Sequence, residues 1–195
     1  MKPYSEACDQ NRDPILAVIE PLCRDRRAVL EIGSGSGQHA VYFARNMRHL
    51  LWYTSDLPEH HAGIKMWLRE AALDNTPPPL SLDVTGPDWP RLPVDAVFSA
   101  NTLHIMHWEA VAALFEGVGR LLPAAGLLML YGPFNYGGAY TSPSNARFDQ
   151  WLKTRDPHSG IRDFEAVDRL ARQQGLILHG DYPMPANNRI LCWRR

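Results

Sequence analysis

Cysteine is scarce: Cys8, Cys23 and Cys192 stand far apart with no Cys-x-x-Cys pair, which excludes a disulfide framework and a zinc knuckle and suits a reducing compartment. An excess of one charge is missing as well. Against 21 Asp and Glu stand 20 Lys and Arg, a net charge of -1, and the densest basic cluster is Arg24-Asp25-Arg26-Arg27. Neither a nucleic acid nor a membrane surface is an expected partner. No apolar run reaches the roughly 18 residues of a membrane span, and the opening Met1-Lys2-Pro3-Tyr4-Ser5-Glu6 is polar, without the apolar centre of a secretion signal. A cytoplasmic protein is expected, with monomer and homodimer both left open. There are no internal repeats, and Pro77-Pro78-Pro79 reads as a stiff entry to a strand.

What is present is enough apolar residue, 45% of 195, to fill one core, so a single domain over 1–195 is expected. Short apolar runs alternate with amphipathic stretches, the pattern of a parallel sheet with helices on both faces. Strands are predicted at Ala28 to Ile32, Leu50 to Ser55, Leu80 to Val84, Ala96 to Ala100, Leu127 to Tyr131, Leu176 to Tyr182 and Arg189 to Trp193. Helices are predicted near Pro14 to Cys23, Gly37 to Arg48, Glu59 to Leu73, Trp108 to Leu122 and Asp163 to Gln174. Val111, Leu114, Phe115, Val118 and Leu121 fall on one stripe of the fourth. Gly175 is expected as a left-handed cap of the fifth. The last two strands are joined by too few residues for a crossover helix, so they should form an antiparallel hairpin. The fold class is therefore α/β, a Rossmann-like sheet of seven strands, mostly parallel, with the last one reversed. Residues 1–25 form an N-terminal cap, and residues 132–160, rich in Gly, Pro, Asn and aromatics around a short helix near Ala146 to Lys153, form an insertion expected near the active site.

The β-branched run Val29-Leu30-Glu31-Ile32 leads into Gly33-Ser34-Gly35-Ser36-Gly37 and then a helix, which places backbone without Cβ atoms at the carboxyl end of a strand. Free N–H groups at the helix start can seat an anionic group. The dinucleotide fingerprint Gly-x-Gly-x-x-Gly would need glycine where Gln38 stands. With Glu31 two places before the first glycine, an ammonium-bearing cofactor suits the loop better than a pyrophosphate. Asp56, ending the second strand, can accept from both ribose hydroxyls, and Asp83, ending the third, from the exocyclic amine of adenine. Three strand-end acids beside one glycine loop point to S-adenosylmethionine. An NAD oxidoreductase would want the other glycine spacing and a Tyr-x-x-x-Lys pair, which does not occur.

On Glu31-Ile32-Gly33-Ser34-Gly35-Ser36-Gly37, Asp56 and Asp83 the chain resembles the class I S-adenosylmethionine-dependent methyltransferases. It is more closely similar to an uncharacterised bacterial and animal methyltransferase-like family. That similarity rests on Asn11-Arg12-x-Pro14-Ile15-Leu16, Ala100-Asn101-x-x-His104-Ile105-x-x-Trp108, Tyr131-Gly132-Pro133-Phe134, Ser144-Asn145-x-x-Phe148-Asp149, Gly160-Ile161-Arg162-Asp163 and Met184-Pro185-Ala186-Asn187-Asn188. The resemblance implies a cofactor across the carboxyl ends of the first four strands. Glu31, Gly33, Ser34, Gly35 and Gly37 would line its methionine end, Asp56 and Leu57 its ribose, and Asp83 and Val84 its adenine. Asn101 would stand at the boundary with the acceptor.

Methyl transfer from a sulfonium needs alignment and exclusion of water more than acid–base chemistry. A neutral hydroxyl or an ammonium acceptor would still need a base, and His104, just past the fourth strand, is the candidate. A histidine bonded to backbone at a helix start is the competing reading. The pair His104-x-x-His107 lacks a third ligand, so no metal is expected. Relatives that methylate amides and exocyclic amines carry Asn/Asp-Pro-Pro-aromatic where this chain reads Asn101-Thr102-Leu103-His104, which argues against those acceptors. Asn11, Arg12, Asn135, Tyr136, Asn145, Arg162, Asn187 and Asn188 are candidates for a small polar or anionic acceptor, with Arg12 or Arg162 as the anion clamp. A helix-capping Arg162 and a turn-forming Asn187-Asn188 pair are the bland alternatives. Trp52, Trp67, Trp89 and Trp151 read as packing residues. A methyltransferase acting on a small molecule is the leading expectation, and a non-catalytic protein that binds S-adenosylmethionine or its demethylated product is the alternative.

Overall fold

The computed structural model describes residues 2–195. Its strands and helices, in chain order, are α1 (Glu6–Cys23), β1 (Ala28–Ile32), α2 (Gln38–Asn46), β2 (Leu51–Asp56), α3 (His61–Ala71), β3 (Leu80–Ser81), β4 (Ala96–Ala100), α4 (Trp108–Leu121), β5 (Leu127–Gly132), β6 (Phe134–Asn135), α5 (Pro143–Arg155), β7 (Arg162–Asp163), α6 (Phe164–Gln173), β8 (Ile177–Met184) and β9 (Asn188–Arg194). Seven strands form one sheet in the order β3-β2-β1-β4-β5-β9-β8. β1 to β5 run parallel; β9 is antiparallel to both β5 and β8. The reversed strand is last in the chain but lies inside the sheet, because the hairpin folds back between β5 and β8.

Alternation along each strand sorts the core into two layers. Leu30, Ile32, Val97, Leu128, Leu130 and Trp193 face α4 and α6, where they meet Val111, Leu114, Phe115, Val118, Val167 and Ala171. Val29, Trp52, Phe98, Met129 and Ile190 face α1 and α2, against Ile15, Ile19, Cys23, Ala40 and Phe43. Ile64 and Leu68 of α3 close over Val41 of α2. The strand order reverses direction at β1, which has β2 on one side and β4 on the other. The crevice at its carboxyl end is where such sheets bind ligands.

Three elements differ from the sequence expectation. α1 starts eight residues before the predicted Pro14 and carries both Pro14 and Pro21 inside it. Its first turns are held from outside: Ser5 N donates to Gln38 Oε1 at 2.6 Å, Gln38 Nε2 to Ser5 O at 3.1 Å, and Tyr42 Oη to Asp13. These bonds, with Glu6 and Asp9 in the first turn, offset the interruption at Pro14. β3 stops at Ser81 rather than Val84, because Asp83 Oδ1 accepts from Thr85 N (2.9 Å) and Thr85 Oγ1 (2.7 Å) and turns the chain away. A two-stranded parallel ribbon, β6 with β7, was not predicted, since two-residue strands carry no periodic signal. Gly175 has φ 74°, as a left-handed cap requires.

Gln38, which stands where a dinucleotide site would have glycine, thus latches α1 to the start of α2. Replacing it in Gln38→Ala should cost about 1 kcal/mol of stability and open the chain near residues 2–12 to proteolysis, read by urea titration and timed trypsin digestion.

Candidate functional site

The glycine loop is set by the strand beside it. Gly33 N and Ser34 N both donate to Ser55 O at 3.0 Å, and Gly35 N donates to Asp56 Oδ2 at 2.7 Å. Gly33 has φ 73°, and a Cβ there would lie 2.8 Å from Thr102 Oγ1, so both the turn and the close approach require glycine. Below the loop, Glu31 is buried, with Oε2 accepting from Ser34 Oγ at 3.0 Å and from Trp52 Nε1 at 3.1 Å. Burial pushes its carboxyl up to about 7 against the lowering effect of those two bonds. Asp56 Oδ1 accepts from Leu57 N at 2.8 Å. Asp83 is exposed, held below the usual carboxylate range by the Thr85 hydroxyl and amide.

Of these groups Gly33, Asp56, Leu57 and Asp83 border a cleft of about 250 Å³, with Asp56 and Leu57 on one side, Asp83 and Val84 on the other, Gly33 as its floor, and Thr102, Ile105 and Met106 closing it; Glu31, Ser34, Gly35 and Gly37 lie outside its lining. A second cavity, about 740 Å³, opens on the other side of the same segment. Asn11 of α1, Asn101 and His104, Tyr131 at the end of β5, Asn145 of α5 and Asn188 of β9 line it, with Phe148 and Trp151 as an aromatic wall. The segment after β4 is therefore a partition. Thr102, Ile105 and Met106 face the cleft, and Asn101 and His104 face the cavity. Asn101 has φ 56°, a left-handed conformation that asparagine tolerates better than most residues, and its N–H donates to Tyr131 O at 2.9 Å.

The partition is held from behind. Arg162 donates to the carbonyls of Leu103 (3.1 Å), His158 (2.9 Å) and Met106, Gly160 N to His104 O at 2.8 Å, and Ser159 Oγ to Ile105 O at 3.3 Å. Asp149, whose side chain is 1% exposed, accepts from Tyr140, Lys153 and Ile161 N and ties α5 to that strip. His104 is buried with its ring edge-on to Phe148 at 5.3 Å. Desolvation, then the nearby Arg162 charge, lower its pKa to about 4, so the imidazole is neutral at pH 7. Among the described residues no side chain hydrogen-bonds its ring.

The family model for proteins of unknown function DUF938 matches residues 2–195. The chain belongs to that family. This DUF938 chain is also similar to solved methyltransferase structures. Against the apo S-adenosylmethionine-dependent methyltransferase SibL the TM-score is 0.82 at 22% identity, over 97% of this chain and 55% of that one. Against the mitomycin 7-O-methyltransferase MmcR it is 0.83 at 17%, over 97% and 54%. Against human N-acetylserotonin methyltransferase in complex with SAM it is 0.80 at 14%, over 97% and 53%. The chain spans about half the length of these structures, and it has their α/β methyltransferase fold.

Within the DUF938 chain the structure gathers some of the expected acceptor residues and disperses others. Asn11, Asn145 and Asn188 reach the larger cavity. Arg12 pairs with Asp9 at 2.6 Å and stacks over Tyr42 of α2, away from the larger cavity. Arg162 spends its guanidinium on backbone carbonyls, Asn135 is buried in β6, and Tyr136 donates to Asp181 and stacks on Phe164. Asn187 lines a separate groove with Tyr136 and Arg189. His107 lies 2.9 Å from Asp156 and packs against His158, away from the cavity. Among the described residues no three metal-ligating side chains gather. Trp52 is in the core, but Trp151, read from sequence as packing, is 51% exposed at the cavity rim. Sequence reasoning did not single out Tyr131, Phe148 or His39. His39 Nε2 donates to Asn11 Oδ1 at 2.7 Å, which turns the Asn11 amide nitrogen toward the Tyr131 hydroxyl. Tyr131 and Phe148 stand in the blocks Tyr131-Gly132-Pro133-Phe134 and Ser144-Asn145-x-x-Phe148-Asp149, which form one wall only once folded, and His39 carries no comparable signal in the sequence.

Burial lowers His39 as well as His104 to about 4. A folded pKa below the unfolded value of about 6.5 means the unfolded chain takes up the proton first. Their stabilisation is full above pH 6.5 and is lost as pH falls toward 4. His104→Gln should remove one of these two contributions, flattening the acid side of the stability profile by on the order of 1–3 kcal/mol between pH 7.5 and 4.5, read by urea titration. In Arg162→Met the His104 ring should titrate higher by NMR, because a nearby positive charge is gone.

Proposed function

We propose that this protein is an S-adenosylmethionine-dependent methyltransferase acting on a small molecule. The observation that carries the reading is the shared partition: one segment of six residues, 101–106, closes the small cleft on one side and lines the large cavity on the other. The cleft fits the cofactor's parts. Leu57, Val84 and Ile105 offer apolar faces to a purine, Asp56 and Asp83 offer carboxylates at two points along it, and Gly33 at its floor adds no side chain. The likeness to methyltransferases, one of them bound to SAM, agrees with this fit.

Glu31, Gly33, Ser34, Gly35 and Gly37 would hold the methionine end, Asp56 with Leu57 the ribose, and Asp83 with Val84 the adenine. Bound there, S-adenosylmethionine supplies an electrophilic methyl on a sulfonium. Asn101, at the junction of the two spaces, orients the acceptor through a carboxamide that has no hydrogen-bond partner among the described residues. Asn11, Asn145 and Asn188 bind the acceptor's polar groups. His104 takes the proton that the acceptor hydroxyl gives up as its oxygen gains the methyl, and α1 with α5 excludes water.

Calorimetry should register S-adenosylmethionine binding and no NAD binding; the reverse would overturn the reading. Gly33→Ala should weaken cofactor binding at least tenfold. His104→Gln should leave cofactor affinity unchanged and lower turnover by about 10²-fold or more on an acceptor found by screening metabolites for mass gain. Cofactor binding with no acceptor turned over would favour a binding protein instead. Because burial holds Glu31 protonated below about pH 7, seating the cofactor's ammonium against it should release a proton. Near pH 6, titrations in buffers of differing ionisation heat should register up to one proton released, with affinity rising as pH rises through 7. Glu31→Gln should abolish that release.

A further inference from the structure

We propose that the large cavity selects an uncharged aromatic alcohol as its ligand, resting on the reading of that cavity as the acceptor site. Among the described residues no Asp, Glu, Lys or Arg lines its 740 Å³. The polar groups it does present are carboxamides, hydroxyls and one imidazole, all uncharged at neutral pH. The two arginines that could have served an anion are turned elsewhere. Arg12 is paired with Asp9 outside the cavity, and Arg162 is bonded to three carbonyls behind the partition. Bringing a carboxylate, phosphate or ammonium into such a space would strip its water without returning a counter-charge, a cost that neutral polar groups do not incur when they are hydrogen-bonded.

The free valences specify a hydroxyl. Asn145 donates its amide nitrogen to Thr141 Oγ1 (2.9 Å) and to Asn187 O (3.2 Å), leaving its carbonyl oxygen as the part able to accept from a ligand. The Asn101 carboxamide can donate or accept, and the neutral His104 ring offers one bare nitrogen. A hydroxyl gives its hydrogen to one acceptor and takes a bond from one donor, which matches this set. The ring preference comes from α5: Phe148 and Trp151 lie nearly parallel, 5.8 Å apart at 17°, with Trp151 half exposed and Tyr131 a third ring in the same lining. An exposed indole at a cavity mouth is a stacking platform for a planar ligand.

The test uses three naphthol probes, 2-naphthol, the anion 6-hydroxy-2-naphthoate and the cation 6-(aminomethyl)-2-naphthol, with uncharged 6-ethyl-2-naphthol, which should bind like 2-naphthol, as the control for the size of the added group. Binding is measured by calorimetry on the full chain with S-adenosylhomocysteine present and absent. 2-Naphthol should bind at least tenfold more tightly than either charged probe. Trp151→Ala, a change at an exposed position, should weaken it about tenfold or more. Asn101→Asp, which installs a carboxylate at a position whose backbone aspartate tolerates, should reverse the order in favour of the cation. Equal or tighter binding of a charged probe to the unmodified protein overturns the proposal, as does failure of all three to bind or 2-naphthol binding insensitive to Trp151→Ala. The two readings separate cleanly. The naphthol order without S-adenosylmethionine binding retains this cavity assignment and removes the methyltransferase. S-adenosylmethionine binding with a charged probe preferred does the opposite.

Discussion

A space smaller than one methyl group organises both halves of the site. At Gly33 the absent Cβ lets Thr102 come within what would be 2.8 Å of it, so the segment leaving β4 lies directly against the loop leaving β1. Were the two strands' exits held apart, the cleft and the cavity would merge into one open trough. Contact at Gly33 makes the 101–106 segment a thin wall with a different set of side chains on each face. Its outer support is polar: donors from Ser159, Gly160 and Arg162 meet the carbonyls of Leu103, His104, Ile105 and Met106. Four carbonyls of a segment without regular secondary structure thereby find donors in a strip more than 50 residues away in sequence.

Burial sets the electrostatics in a complementary way. It raises the Glu31 carboxyl to about 7 and lowers the His104 imidazole to about 4, and each shift favours the uncharged form. A cation placed beside Glu31 would favour its charged form, and the His104 imidazole is neutral at pH 7. Asp83, at the solvent side, is held in its charged form by the Thr85 hydroxyl and amide. Charge is concentrated at the cleft's outer edge and absent from the cavity.

The sheet, the glycine turn and the reversed last strand were legible because each rests on local patterning: alternation, helical periodicity, and a glycine spacing that the backbone needs. Asp56 was legible as the acid that ends β2, whereas Asp83, expected to end the third strand, stands in the turn two residues past it. What sequence could not supply was the direction of long side chains. Arg162 looks equally suited to a carboxylate or to carbonyls, and only the packing of α5 beside the partition decides that it takes carbonyls. Arg12 and Asn11 are neighbours on one helix, yet successive helical positions point about 100° apart, so one faces the cavity and the other does not. Trp151 has the composition of a core residue and the position of a rim residue. Even the start of α1 depended on Gln38, 33 residues from its partner Ser5.

The engagement of Arg162 also bears on which hydroxyl His104 could serve. Its charge is near enough to depress the imidazole, yet the guanidinium is committed to carbonyls, and no carboxylate among the described residues bonds the ring to raise its basicity again. A base with a pKa of about 4 is a weak proton sink. Complete transfer from a phenolic hydroxyl, ordinarily near 10, spans about six units or ~8 kcal/mol. From an aliphatic hydroxyl, close to water at about 15.7, it spans nearly twice that. Burial, the larger cause of the low imidazole pKa, raises the cost of a developing oxyanion, and the Arg162 charge offsets part of that cost alike for either hydroxyl, so the phenolic gap stays the smaller one. If His104 is the base proposed above, its weakness and the aromatic wall of α5 arise from separate features of the chain and favour the same kind of acceptor.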